Sequence, residues 1–423
     1  MRRPLNQPAL ETLTFLDPAV QECPYPAYDL IREEAPAFYD RLAGFWVITR
    51  YEDVRAVVMD PARFSSAGTV ELVRQRVDPG RAAAARAIYE AEGWVPAPTL
   101  SLLDDPRHRE VRKIFEHALR AGRIRELDPY IETIAHQLVD EFAPRGTCDA
   151  VRDYAVPLPL MAICSQVGVP MDDVWTIKRW TDAWMRRFSL MQTPDEEAAS
   201  VRQEIEFQHY FADIVADLRK APNGSLLSDL VNMRLSDGAA LGYAEIASHL
   251  LSDIFVGGSE TTTNAIAEGV LLLCRNEDQY RRLSGDLDRR LRGFIEETLR
   301  LETPVQTLYR ITTEAVEIGG VAIPAGEMIS LRFGAANRDA RHFACPADLD
   351  LDRRNSGSHL AFGAGIHHCI GAPLARREMF WAFDVLLRRC RNIRMASGHD
   401  APAHQPGAML RVLKELPIAF DPA

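Results

Sequence analysis

The sequence predicts a mainly α-helical protein in one domain, residues 1–423, with β-structure as a minor component. Three observations predict it. Apolar residues recur at helical spacing through most of the chain, one long stretch is apolar nearly all round, and strand signals are few and short.

Taken in order, the first strand signal is the aromatic and β-branched run at residues 45–49. Ile131, Ile134, Ala135, Leu138, Val139 and Phe142 then fall at i, i+3, i+4, i+7, i+8 and i+11, the buried face of an amphipathic helix. Phe207, Phe211, Ile214, Val215 and Leu218 repeat the pattern. Residues 246–273 are apolar on nearly every side, which suits a helix running through the middle of the molecule. Val316–Ile318 turns at Gly319-Gly320 into Val321–Ile323, a two-residue hairpin. Breaks rich in Pro and Gly are short and no solenoid repeat is present, hence the single domain.

Apolar residues make up 47% of the chain, enough for a sizeable core. The net charge of −11 repels phosphate backbones and anionic lipid surfaces, which argues against nucleic acid and membranes as partners. No apolar run reaches the roughly 18–20 residues that a membrane span needs, and the opening MRRPLNQPAL has no apolar signal region. A soluble, cytoplasmic protein is the expectation.

Seven cysteines, at 23, 148, 164, 274, 345, 369 and 390, are odd in number and form no CxxC pair, which argues against a disulfide framework and a zinc ribbon. Most are expected to be small buried apolar residues. Cys369 stands apart in the run Phe362-Gly363-Ala364-Gly365-Ile366-His367-His368-Cys369-Ile370-Gly371. A helix-forming stretch with Pro373 near its first turn follows, so Cys369 lies at a helix N-terminus, where N–H groups and the dipole favour a thiolate. The glycines let the backbone turn tightly against a flat ligand. Zinc on His367, His368 and Cys369 is set aside, because three crowded neighbours give poor tetrahedral geometry and no fourth ligand is apparent.

A cysteine in a glycine loop is commonly plain packing, but every fixed position of FGxGxHxCxG is met. The run resembles the signature of the cytochrome P-450 family of haem-thiolate monooxygenases. The resemblance implies a helical triangular prism with small β-sheets. It also implies haem b, iron protoporphyrin IX, with Cys369 as the metal ligand, lying between the central helix and the cysteine helix.

Three further segments match in order. Glu297 and Arg300 form the family's ExxR pair on one helix face, which ties that helix to the loop cradling the haem. The family completes the pair with Arg or His, but aligning on Pro346 and Arg353 puts Asp348 there. Either Asp348 accepts directly from Arg300 or Arg353 substitutes. His108 and Arg112, at i and i+4, resemble the HxxxR site for the haem propionates, and Arg310 and His367 stand at the other positions used for them.

Residues 256–263, VGGSETTT, interrupt the apolar helix with two glycines, an acid and three hydroxyls. Threonines bonding back to carbonyls one turn earlier would open the helix locally. By the resemblance, Gly257 lies against the haem, Thr261 assists the dioxygen chemistry and Glu260 relays protons from solvent. The plainer alternative is a kinked helix whose threonines satisfy themselves. Asp253, Gly257 and Thr261 share a face, so Asp253 either meets a hydroxyl or amine of the substrate or turns to a neighbouring polar group.

Trp94, Val256, Gly257 and Val305 are the other candidate substrate contacts. Trp175, Trp180, Trp184, Met185, Phe188, Leu190 and Met191 suit a small hydrophobic or aromatic substrate, although such a stripe is more often core. No segment resembles a reductase, so electrons are expected from a 2Fe–2S ferredoxin and its reductase. Arg109, Lys113, Arg376 and Arg377 are the cations that would steer it. The implied activity is O₂-dependent hydroxylation or another oxidation. The alternatives are a haem-binding sensor or carrier without turnover, and a peroxide-driven enzyme.

Overall fold

The computed structural model describes residues 10–77, 79–188, 192–399, 401–407 and 409–422. Leu190, Met191 and the first nine residues of the chain lie outside the described residues, and no side chain is described for Phe188. The chain forms two compact units. One comprises Met1–Thr69, Ala267–Cys369 and Ile393–Ile418, the other Val70–Ile266, Ile370–Asn392 and Ala419–Ala423.

The first unit is built on a five-stranded sheet. In spatial order its strands are Ala37–Asp40, Phe45–Ile48, Met328–Arg332, Thr307–Thr312 and Phe64–Ser65. The strand expected at 45–49 forms over Phe45–Ile48 and pairs antiparallel with Ala37–Asp40 and parallel with Met328–Arg332, in register Val47↔Ser330. Its apolar face closes over Val54, Ile329, Leu331, Phe333, Phe343 and Leu360. The expected hairpin forms, with Ile318 opposite Val321 and positive φ at Gly319 (59°) and Gly320 (81°). Only glycine takes two such residues in succession without strain.

The second unit is helical. Ile131, Ile134, Ala135, Val139 and Phe142 are completely buried along helix Ala121–Phe142. Phe207, Phe211 and Val215 of helix Pro194–Lys220 pack with Trp180 and Phe255 into its main core. Edge-to-face rings there add to plain area burial.

The long apolar stretch is not one α-helix. It runs as α-helix Tyr243–His249, a π-helical segment Leu250–Glu260 and α-helix Thr261–Arg275. Hydroxyls explain the widening: Ser259 donates to the Phe255 carbonyl (2.7 Å) and Thr261 to the Gly257 carbonyl (2.9 Å), in a turn weakened by Gly257 and Gly258. Among the described residues no helix is long and apolar enough to cross a membrane.

Candidate functional site

In the first unit, the cysteine loop is closed by the Cys369 N–H donating to the Phe362 carbonyl at 2.8 Å. Gly363 (φ 65°) and Gly365 (φ 68°) take the left-handed conformation, and a side chain at Gly365 would bring Cβ to 2.5 Å from the Val58 carbonyl oxygen. His367 Nε2 stands 3.1 Å from Ser66 Oγ. Cys369 is exposed, two residues before Gly371, the N-cap of helix Ala372–Arg389. Cys148, Cys164 and Cys390 are buried, and burial pushes the thiols of Cys164 and Cys390 up to about 12. Cys274 is half-buried, while Cys23 and Cys345 are exposed, so burial describes fewer cysteines than expected.

Glu297 and Arg300 are both completely buried on helix Leu287–Glu302 and pair through two contacts, Nε–Oε1 at 2.6 Å and Nη2–Oε2 at 2.9 Å. Burial pulls the guanidinium below its ordinary range and the carboxylate opposes this. Arg353 completes the network, its Nε 3.0 Å from Glu297 Oε1. Asp348 does not. Its side chain is exposed and only its backbone carbonyl accepts from Arg300, at 3.0 Å. The reason is charge balance: two buried cations need the one buried carboxylate, whereas the carboxylate of Asp348 stays in water. Arg310 is buried in its strand and donates to the Tyr309 carbonyl (2.7 Å), and half-buried Val305 bridges to Leu410.

In the second unit, Gly257 is exposed and Thr261 half-buried, whereas Val256 and Glu260 are buried. Glu260 accepts from Lys178 Nζ (3.0 Å) and Thr181 Oγ1 (2.9 Å) on helix Val174–Phe188. Burial works against the charge of Lys178, but Glu260 and Asp182 outweigh it and hold the ammonium above its ordinary pKa. Lys178 and Thr181 were not among the expected site residues. The signal was there, a Lys-x-x-Thr-Asp run presenting three polar groups on one helix face. Asp253 turns to a neighbouring polar group, accepting from the Leu100 N–H (3.0 Å) and lying 2.7 Å from His249 Nδ1.

His108 is buried, with Nδ1 3.5 Å from Asp105, and burial together with Arg112 pulls its pKa down. Arg112 pairs along its own helix with Glu116 at 3.0 Å. The Trp94 ring packs on Tyr243 and His209, with centroids 4.8 and 5.2 Å away. Trp180 is core and Trp175 is 56% exposed, so the tryptophans of this helix do not act as one face. Of the expected steering cations, Arg109 pairs with Asp105 (2.6 Å) and Arg377 with Asp128 (2.5 Å).

These residues fit the implied haem. One exposed thiol at the head of a helix would hold an iron whose other ligands come with the cofactor. The left-handed glycines leave the loop backbone bare for close approach, and Arg310, Arg112, His108 and His367 are donors suited to carboxylates.

The cytochrome P-450 family model matches residues 175–418. The chain is 34% identical over 415 residues to cytochrome P-450 107B1 of Saccharopolyspora erythraea, covering 96% of this chain and 97% of that protein. It is 35% identical over 405 residues to the cytochrome P-450 monooxygenase PikC of Streptomyces venezuelae, covering 94% and 91%. The solved structure of CYP109Q5 from Chondromyces apiculatus superimposes with a TM-score of 0.83 at 29% identity, covering 98% of this chain and all of that one.

Proposed function

The chain belongs to the cytochrome P-450 family and has its fold, and from that premise we propose that this monooxygenase hydroxylates, or otherwise oxidises, a small apolar or aromatic molecule with electrons from a 2Fe–2S ferredoxin and its reductase. Haem b, held by the thiolate of Cys369, belongs to the proposal. The observation that carries it is the exposed thiol of Cys369 behind a closed glycine loop at a helix N-terminus, where the dipole favours the ionised sulfur. When bound, the haem supplies dioxygen activation, placing one oxygen atom in the substrate and the other in water, at the expense of an electron pair and two protons.

The side chains have separate tasks in this reading. Phe362 and Gly363 shape the loop, while His108, Arg112, Arg310 and His367 hold the propionates. Gly257, which carries no side chain, leaves room for close approach to the central segment. Thr261 offers a hydroxyl in the opened turn, and Glu260 moves protons toward it from the side held by Lys178 and Thr181. Leu100, Leu102 and Leu103, in the segment that Asp253 holds, support an apolar substrate, with Val256, Val305 and Trp94 as further candidate contacts. The cytoplasm, where reduced nicotinamide can feed a ferredoxin reductase, is the proposed location.

The test is the carbon monoxide difference spectrum of the reduced protein beside that of Cys369→His. A strongly red-shifted Soret band that disappears in the variant is the expected result. A band that the substitution leaves in place ends the reading. Turnover with ferredoxin and reductase, compared with peroxide alone, tests the electron source.

A further inference from the structure

Glu296 neighbours Glu297 on helix Leu287–Glu302 but serves a different partner. Its Oε2 lies 3.1 Å from Nε2 of His359, and the two side chains are 12% and 1% exposed. The other ring nitrogen, Nδ1, accepts the backbone N–H of Ala361 at 3.2 Å. A nitrogen that accepts must keep its lone pair, so the ring proton sits on Nε2 and is donated to Glu296. The tautomer is set by geometry.

The next links run toward the cysteine. The Phe362 ring stands 5.8 Å from the imidazole, and the Phe362 carbonyl accepts the Cys369 N–H at 2.8 Å. On either side of His359, the Tyr51 hydroxyl donates to the Ser358 carbonyl (2.6 Å) and the Leu360 N–H donates to Asn337 Oδ1 (2.6 Å). The approach to the loop is thus anchored residue by residue. His359 supplies a side-chain anchor at Ala361, the residue before the one whose carbonyl holds the Cys369 N–H.

We infer that His359 is a positioning residue for the Cys369 thiolate: oriented by Glu296, it fixes the Leu360–Ala361 peptide through the Ala361 N–H, and so the backbone that leads into Phe362, whose carbonyl holds the cysteine N–H. The inference rests on the haem-thiolate reading above. Removing the acceptor at Nδ1 leaves the Ala361 N–H without its partner and frees the peptide to rotate. The Phe362 carbonyl then leaves the Cys369 N–H, and the sulfur loses the backbone geometry that keeps it a ligand.

The experiment follows the reduced carbon monoxide spectrum of the haem-loaded protein in mild guanidinium, timing the decay of the red-shifted band into the shorter-wavelength band of a lost thiolate. His359→Leu is expected to speed the decay about tenfold, the effect of losing one buried hydrogen bond. His359→Asn, which returns an acceptor oxygen close to Nδ1, is expected to stay within about twofold of the parent protein, whereas His359→Gln, which reaches toward Glu296 instead, follows His359→Leu. A decay unchanged in His359→Leu overturns the inference. So do equal rates in the Leu, Asn and Gln variants, because that pattern reports lost packing alone. Should His359→Leu not fold, the contrast between Asn and Gln decides. A parent protein with no red-shifted band overturns the haem-thiolate reading itself.

Discussion

The cysteine-loop region and the π-helical region treat buried charge in opposite ways. Around the loop, the motif residues satisfy each other: Glu297 and Arg300 pair within one helix turn, and Arg353 adds a second cation to the same carboxylate. Along the π-helical segment, the acids are committed to residues outside any motif, Glu260 to Lys178 and Thr181, Asp253 to His249 and the Leu100 N–H. Spacing therefore describes a pair made inside one helix, and says little about a partner brought by another element. The difference also predicts different costs of disruption, because a pair at zero exposure cannot recruit water when it is broken.

The largest effect should come from Glu297→Ala, which leaves Arg300 and Arg353 as buried cations without a carboxylate. A loss of about 3–5 kcal/mol is expected in denaturant unfolding. A loss below about 1 kcal/mol would remove the contrast between the two regions. Lys178→Met should cost less, about 1–3 kcal/mol, because the lysine side chain is 16% exposed and Glu260 keeps Thr181. A cost equal to that of Glu297→Ala would show that both regions bury charge alike.

Glu378 on the cysteine helix is the extreme case. It is completely buried, and burial raises its pKa well above the ordinary carboxyl value, against a smaller opposing contribution from Thr262. The folded protein then holds a proton that the unfolded chain releases, so stability is fully present below the unfolded pKa and falls as pH rises toward the folded one. In that window the slope is about −1.4 kcal/mol per pH unit. Glu378→Gln should abolish it, so thermal midpoints of parent and variant, matched in acid, diverge in favour of the variant as pH rises. Parallel midpoints would mean that Glu378 is ionised in the fold.

The smallest effect is expected at Asp253. Asp253→Asn keeps an acceptor for the Leu100 N–H and should cost under about 1 kcal/mol, while Asp253→Ala should lose somewhat more. Hydrogen exchange at the Leu100 amide separates them, protected in the parent and the Asn variant and faster in the Ala variant. Equal protection in all three would mean that Asp253 does not anchor that segment.

Legibility followed the same division. The amphipathic faces around Ile131 and Phe207 and the Gly319-Gly320 hairpin could be read directly, because each follows from local periodicity or from a φ that only glycine takes freely. The central stretch was legible as a helix with a local opening, but not as eleven residues of π-helix. The extent depends on which carbonyls the Ser259 and Thr261 hydroxyls take, and many helices carry such residues without widening. The tryptophans of helix Val174–Phe188 looked like one surface, yet burial separates Trp180 from Trp175.

The sequence by itself determined the family, through a cysteine run whose order of residues is its own geometry, and it determined which helices have a buried face. Tertiary structure alone decided the partners of the buried charges. It gave Arg353 rather than Asp348 to Glu297, Lys178 to Glu260, the Leu100 N–H to Asp253 and His359 to Glu296. The physical reason is that a helix motif fixes neighbours through a repeat of a few residues, whereas a buried charge must be neutralised by whichever group the packing of other elements brings within about 3 Å, at any distance along the chain.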